Sequence, residues 1–421
     1  MRSFPRIRQL ASPLRRWVLP TRHVAAANMP VGRATGAECG ASSPPDGFQS
    51  TRHRVAPHVC TAMPAFSPRQ RPGVGGALGA DRLAGAGYRT GIRMSSRAAA
   101  GPEVKFVPSF YVVTADHDPA KNKKPSPSSP ADIDPTRKTC YVLHGVFGGG
   151  KNWIPFVRTH LASRLPEWQF VLVDLRGHGD SIVADGANTL FQCAADIRRL
   201  AEILGKPPDA IMGHSLGGKI AIEYLRYVAK EGQGAAPMVY VLDSWAERLD
   251  LTAYANDDAF ANKGTSFMKD LLPGASFMVL RHLEAIQLPV ESRTDVSKRL
   301  EEQGHCRQTT TWMCSNLRRA GAGKGLEWTF DLGVMRDLIR DAADVDSLVV
   351  MRDAVSRVVF VRAGLGMRWN PDALRRLEEG VRDNPFVSSE VIPNAAHWVH
   401  VDSPEELAGI IVPEFERVQR Q

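Results

Sequence analysis

The 421-residue chain is short of cysteine, of long apolar runs and, in its first hundred residues, of acids and lysine. Its six cysteines form no Cys-x-x-Cys pair and have no histidine at zinc-ligand spacing. His305-Cys306 and Cys314 come nearest, but no fourth ligand stands close to them. That argues against a disulfide framework and a metal centre, and for reduced thiols in a reducing compartment. The apolar runs are strand-sized, as in Val358–Val361. None approaches the ~18 residues that a helix needs to cross a bilayer, so no transmembrane segment is expected.

Residues 1–100 hold 15 arginines, no lysine and three acids, Glu38, Asp46 and Asp81. That stretch carries +12, and since the whole chain is +8, the remainder is −4. The positive charge therefore belongs to the leader rather than to a folded face, and nucleic acid is not an expected partner. The leader is rich in Arg, Ser, Ala, Gly and Pro and lacks the apolar core of a secretory signal. This composition predicts a transit peptide over about residues 1–98, directing the chain to a chloroplast or mitochondrion. An uncleaved extension is the alternative.

The rest alternates strands and helices. Short apolar segments at Thr139–Leu143, Phe170–Val173, Ala210–Met212, Met238–Leu242, Val358–Val361 and Val387–Ile392 predict buried parallel strands. Helical spacing is read at Asn152–Leu165, Thr189–Leu204, Lys219–Ala229, Pro371–Val381 and Pro404–Val412, the last stopped by Pro413. The expected fold class is α/β, a mostly parallel sheet flanked by helices, over 99–245 and 351–421. Residues 246–350 break the rhythm; they read as a helical lid inserted before the last two strands, with no strand until Leu348. Within it Phe260, Phe267, Met268, Leu271, Leu272, Phe277, Met278 and Leu280 are candidates for an apolar acyl pocket, or for ordinary helix packing.

Three places carry chemistry. Gly213-His-Ser-Leu-Gly217 follows a strand and opens a helix, the context of a nucleophile elbow that lifts Ser215 above the sheet. His144-Gly-Val-Phe-Gly-Gly-Gly150 lies about 70 residues earlier, where an oxyanion loop belongs, so the backbone N–H groups of Val146 and Leu216 are the candidate oxyanion hole. It is not a phosphate loop, because Gly150-Lys151 is followed by Asn152. Asn394-Ala-Ala-His397-Trp-Val-His400 follows the last strand, and His397 is the candidate base, with His400 a structural hydrogen-bonding residue or an alternative base. The acid is read as Asp243, at the end of its strand, over Asp372. Asp174 also ends a strand and is read as bracing its own loop.

Taken together, His144-Gly-Val-Phe-Gly, Asp174-Leu-Arg-Gly-His-Gly-Asp-Ser181, Gly213-His-Ser-Leu-Gly-Gly-Lys219 and His397-Trp-Val-His-Val-Asp402 resemble the α/β-hydrolase superfamily, and within it the YbfF-type esterases. The resemblance covers about residues 104–420. It implies a serine hydrolase acting on acyl esters or thioesters, and it also favours Asp243. Ala396, in place of a usual glycine, and Leu365-Gly-Met-Arg, in place of a Gly-Asn-Ser loop, depart from that pattern. No cofactor or metal is needed for such chemistry. The expected partner is a small acyl ester or lipid-like substrate. An acyltransferase using the same acyl-enzyme and a silent binding protein are the other readings, and the oligomeric state stays open.

Overall fold

The computed structural model describes residues 106–116, 126–182, 186–231, 236–254, 274–321 and 325–420. All lie in one compact unit, Arg93–Gln421. The expected leader and five of the apolar lid candidates (Phe260, Phe267, Met268, Leu271 and Leu272) fall outside the described residues.

A seven-stranded sheet forms the centre. Its strands are β1 (Phe110–Val113), β2 (Lys138–Leu143), β3 (Trp168–Val173), β4 (Ala210–His214), β5 (Met238–Leu242), and, with the numbers β6 and β7 kept for a separate hairpin, β8 (Val358–Ala363) and β9 (Val387–Ile392). Their spatial order is β1-β3-β2-β4-β5-β8-β9. Only β1 runs antiparallel to its neighbour; every other pair is parallel. Alternate residues of the central strands feed two cores. Tyr141, Val171, Ile211, Val239 and Phe360 enter one, and Val142, Leu172, Met212, Tyr240 and Val361 the other. Burial on both faces is why these strands read as continuous apolar runs.

Helices α1 (Leu190–Ile203) and α2 (Leu216–Glu231) pack together on the first of these cores. The chain passes from β2 to β3 on one side and then to β4 on the other, so the order reverses between β2 and β4. A crevice opens at such a reversal, outside the carboxyl ends of the strands. The loops after β2 and β4, which hold His144–Gly150 and Ser215, meet there.

Between β5 and β8 lie α3 (Ala275–Glu284), α4 (Arg293–Glu302), α5 (Arg307–Ser315), the hairpin β6 (Leu317–Arg319) and β7 (Leu326–Trp328), and α6 (Leu332–Asp344). The hairpin corrects the expectation of no strand before Leu348. Its strands are three residues each, too short to show alternation, and the Arg318–Glu327 ion pair bridges them at 3.0 Å. Leu348 is itself in a 3-10 turn, because Asp346 caps it by accepting the Leu348 N–H at 3.0 Å. The Asn152–Leu165 segment is helical but irregular, passing from a 3-10 turn through Ile154–Phe156 into a π turn at Val157–Ala162.

After β8 come α7 (Pro371–Asp383), β9 and the closing helix α8 (Pro404–Gln419). Pro413 does not stop α8, contrary to the sequence expectation. Proline forfeits one backbone bond, to the carbonyl of Gly409, which is exposed and can be hydrated. Continuing buries Phe415, whose ring lies 4.2 Å from that of Trp168. Burying an aromatic of this size outweighs one lost bond.

Candidate active site

Ser215 sits in the turn between β4 and α2 with φ +53°, a left-handed conformation that costs a non-glycine residue on the order of 1 kcal/mol or more. Three hydrogen bonds hold it. The Ser215 N–H donates to the Leu242 carbonyl at 3.0 Å, the Gly218 N–H to the Ser215 carbonyl at 3.0 Å, and the Ser244 hydroxyl to the same carbonyl at 2.7 Å. A side chain on Gly213 would strike the carbonyl of Gly217, and one on Gly217 the carbonyl of Leu143. The turn is therefore closed to anything larger than glycine at both places.

Asp243 follows β5, fully buried, with φ +39°. Its N–H donates to the Val361 carbonyl at 2.8 Å, and its Oδ1 accepts the Ala363 N–H at 3.1 Å. These bonds to β8 aim Oδ2 at His397, whose Nδ1–H donates to it at 2.8 Å. His214 donates its Nε2–H to the His397 carbonyl at 2.8 Å and so fixes that loop from the elbow side. Arg368, buried in the loop after β8, places Nε 3.6 Å from Asp243 Oδ2.

Burial pushes the His397 imidazole well below its usual range, and the Arg368 guanidinium and His400 push the same way. Burial also raises the Asp243 carboxyl, against which Arg368 and the Ala363 N–H act. The imidazole is thus neutral at pH 7, with its Nδ1 proton fixed on Asp243 and Nε2 left as the basic nitrogen. His214 is pushed down to about 3 by burial, so it is a neutral donor.

A cavity of 540 Å³ opens over this group. Ser215 and His397 both border it, with Val146, Trp153, Trp312 and Trp398 among its walls. A second compartment of 70 Å³ shares Ser215, Val146 and Arg368 with it and adds Leu216, Trp245 and Phe277. The structure therefore brings Ser215, His397, Asp243, Val146 and Leu216 to one place. Leu216 opens α2, and a first-turn N–H has no intrahelical acceptor.

The family profile described as the alpha/beta hydrolase family matches residues 140–410, more than half of the chain. The chain belongs to the α/β-hydrolase family. The sn-1-specific diacylglycerol lipase ABHD11 of Mus musculus is 23% identical over 288 residues, 65% of this chain and 80% of the lipase. The 2-succinyl-6-hydroxy-2,4-cyclohexadiene-1-carboxylate synthase of Serratia proteamaculans is 38% identical over 80 residues, 19% of this chain. That match spans only 29% of the synthase's own length. Among solved structures, a marine microorganism esterase superposes with a TM-score of 0.52 at 18% identity, covering 74% of this chain and 99% of the esterase. At that identity the likeness speaks for the fold.

Other residues of this α/β-hydrolase take up supporting positions. Asp174 accepts the Asp180 N–H at 2.9 Å within its own loop and the Gly150 N–H at 2.7 Å from the His144–Gly150 loop. His144 accepts the Leu175 N–H, and His178 accepts the Phe147 N–H, so the two loops are stitched together. His400 is a correction. It stacks on Trp153 at 3.9 Å rather than acting through hydrogen bonds, and its Nδ1 has no partner among the described residues. Asp372 is exposed at the start of α7 and pairs at 3.7 Å with Arg375. Of the described lid candidates, Phe277 borders the small compartment, whereas Met278 and Leu280 are buried in packing.

Nothing in the sequence singles out Arg368 for a role in the site. The only signal for it was the departure at Leu365-Gly-Met-Arg, and an arginine in a loop is common on surfaces. Lys219 closes the Gly213–Lys219 motif, and nothing in the sequence signals where its ammonium lies. Its buried ammonium donates to the carbonyls of Glu247, Ala342 and Val345 at 3.1, 2.8 and 2.6 Å, tying α2 to the segment between β5 and β8.

Proposed function

We propose that the chain is a serine hydrolase that cleaves carboxylic esters or thioesters through an acyl-enzyme on Ser215. The observation that carries this reading is the His397–Asp243 bond of 2.8 Å, with His397 facing the same cavity as Ser215 at the strained elbow. The match to the mouse diacylglycerol lipase supports ester cleavage.

His397 Nε2 takes the Ser215 proton as Oγ attacks the acyl carbon, and Asp243 stabilises the imidazolium. The Val146 and Leu216 N–H groups hold the oxyanion. The carbon–oxygen or carbon–sulfur bond then breaks, and His397 returns its proton to the leaving group. Water, deprotonated by His397, cleaves the acyl-enzyme, and the proton passes back to Ser215. None of these steps draws on a metal or an organic cofactor. In this reading α3 and α5, which contribute to the cavity wall, belong to a lid, and residues 1–98 serve as an organelle transit peptide.

A fluorophosphonate probe tests the proposal. Wild-type protein labels and the Ser215→Ala variant, folded by circular dichroism, does not. Labelling that persists in Ser215→Ala would refute it.

A further inference from the structure

The two compartments meet at Ser215 but differ in character. His397 borders only the large one and Leu216 only the small one, while the other candidate oxyanion donor, Val146, borders both. In acyl transfer the leaving atom must lie where the imidazole can protonate it. The leaving group therefore lies in the 540 Å³ compartment, and the acyl chain extends past the oxyanion donors into the 70 Å³ compartment.

The small compartment is lined by the apolar Trp245, Leu249, Leu251, Phe277 and Ile339, and its two cations, Lys219 and Arg368, face backbone carbonyls and Asp243, so it suits an unbranched apolar chain. One water-sized atom needs about 10–15 Å³ of such space, so this one admits about five to seven non-hydrogen atoms.

The large compartment differs in holding a cation that no acidic side chain matches among the described residues. Among the described residues its wall contains two arginines and no aspartate or glutamate. Arg368 faces the Asp243 carboxylate. Arg307, exposed on α5, has no acidic partner among the described residues. Its neighbours on that wall, Gln308, Thr311, Trp312 and Ser315, are polar or aromatic and carry no charge. A single unmatched guanidinium beside an indole fits one planar carboxylate, which it can hold bidentately.

We propose that this site is built for an ester or thioester of a short acyl chain whose leaving group bears a carboxylate, with Arg307 as the residue that binds that carboxylate. The proposal rests on the serine-hydrolase reading and narrows its substrate class.

The test compares 4-acyloxy-3-nitrobenzoates with p-nitrophenyl esters of the same acyl chains, from two to ten carbons. Ser215 labelling by fluorophosphonate is measured on every sample. Wild-type protein should favour the carboxylate-bearing series by about tenfold in kcat/KM, the worth of one charge-assisted contact at a partly wet site. Arg307→Met should erase that preference, lowering kcat/KM for the carboxylate-bearing series about tenfold more than for the neutral series, and Arg307→Lys should keep part of it. Activity should peak at six carbons or fewer, and Phe277→Ala should move the peak to longer chains. Labelled protein that shows no carboxylate preference, or a wild-type peak at ten carbons, would overturn the assignment while leaving the hydrolase reading intact. Absence of labelling at Ser215 would overturn both.

Discussion

Nδ1 of His397 and Oδ2 of Asp243 meet at 2.8 Å across 154 residues of sequence. Neither loop could place its side chain alone. Asp243 is fixed by two backbone bonds to β8, and His397 by the His214 ring reaching back from the elbow. The pair is a product of strand order, since β5 and β9 flank β8.

Replacing Asp243 with Asn should lower kcat by about 10⁴, because the amide can donate to Nδ1 and strand the proton on Nε2. KM should change little. Asp372→Asn, altering an exposed carboxylate on α7, should leave both constants at wild-type values. Steady-state ester hydrolysis measures all of these.

The acid limb of kcat/KM should have its midpoint below pH 6.5, because burial, Arg368 and His400 all disfavour the His397 imidazolium. Asp243 opposes them by holding the Nδ1 proton, and the His214 ring nearby is neutral. Taking away the Arg368 charge favours the imidazolium, so Arg368→Met should shift the limb to higher pH and Arg368→Lys should shift it less. A limb that stays in place would show that Arg368 does not act on the imidazole.

Arg176 is fully buried and holds Asp196 with two bonds, at 2.7 and 3.0 Å. Arg176→Met leaves that carboxylate buried without its cation, and urea denaturation should reveal a loss of about 3–5 kcal/mol. The double variant Arg176→Met/Asp196→Leu should recover most of it, since an apolar pair of similar volume removes both desolvation penalties.

Lys219→Met should unfasten the segment between β5 and β8 from α2, leaving three carbonyls without their donor. The expected cost is about 2–3 kcal/mol. Limited proteolysis should cut within 246–350 faster than in wild type, while the sheet remains protected.

Much of the fold was legible because the sheet is buried on both faces. Val142, Met212, Tyr240 and Val361 sit in unbroken apolar runs of the kind parallel strands require. Ser215 and His397 were legible because a sharp turn demands Gly213 and Gly217, and because each motif directly follows a strand. Asp243 was harder, since nothing local distinguishes one aspartate after a strand from another; its partner lies on a distant loop. The hairpin Leu317–Trp328 escaped because a three-residue strand carries no period. The passage of α8 through Pro413 escaped because the compensation is tertiary, in the packing of Phe415 on Trp168. The role of His400 escaped for the same reason, being set by a stacking partner, Trp153, far off in sequence.

Rapid quenching of wild-type protein during turnover of a p-nitrophenyl ester, followed by peptide mass spectrometry, probes the chemistry most directly. The acyl mass should appear on Ser215, should accumulate before steady state, and should be absent from Ser215→Ala. Ester turnover with no acyl adduct, or with the adduct on a different residue, would contradict Ser215 as the nucleophile.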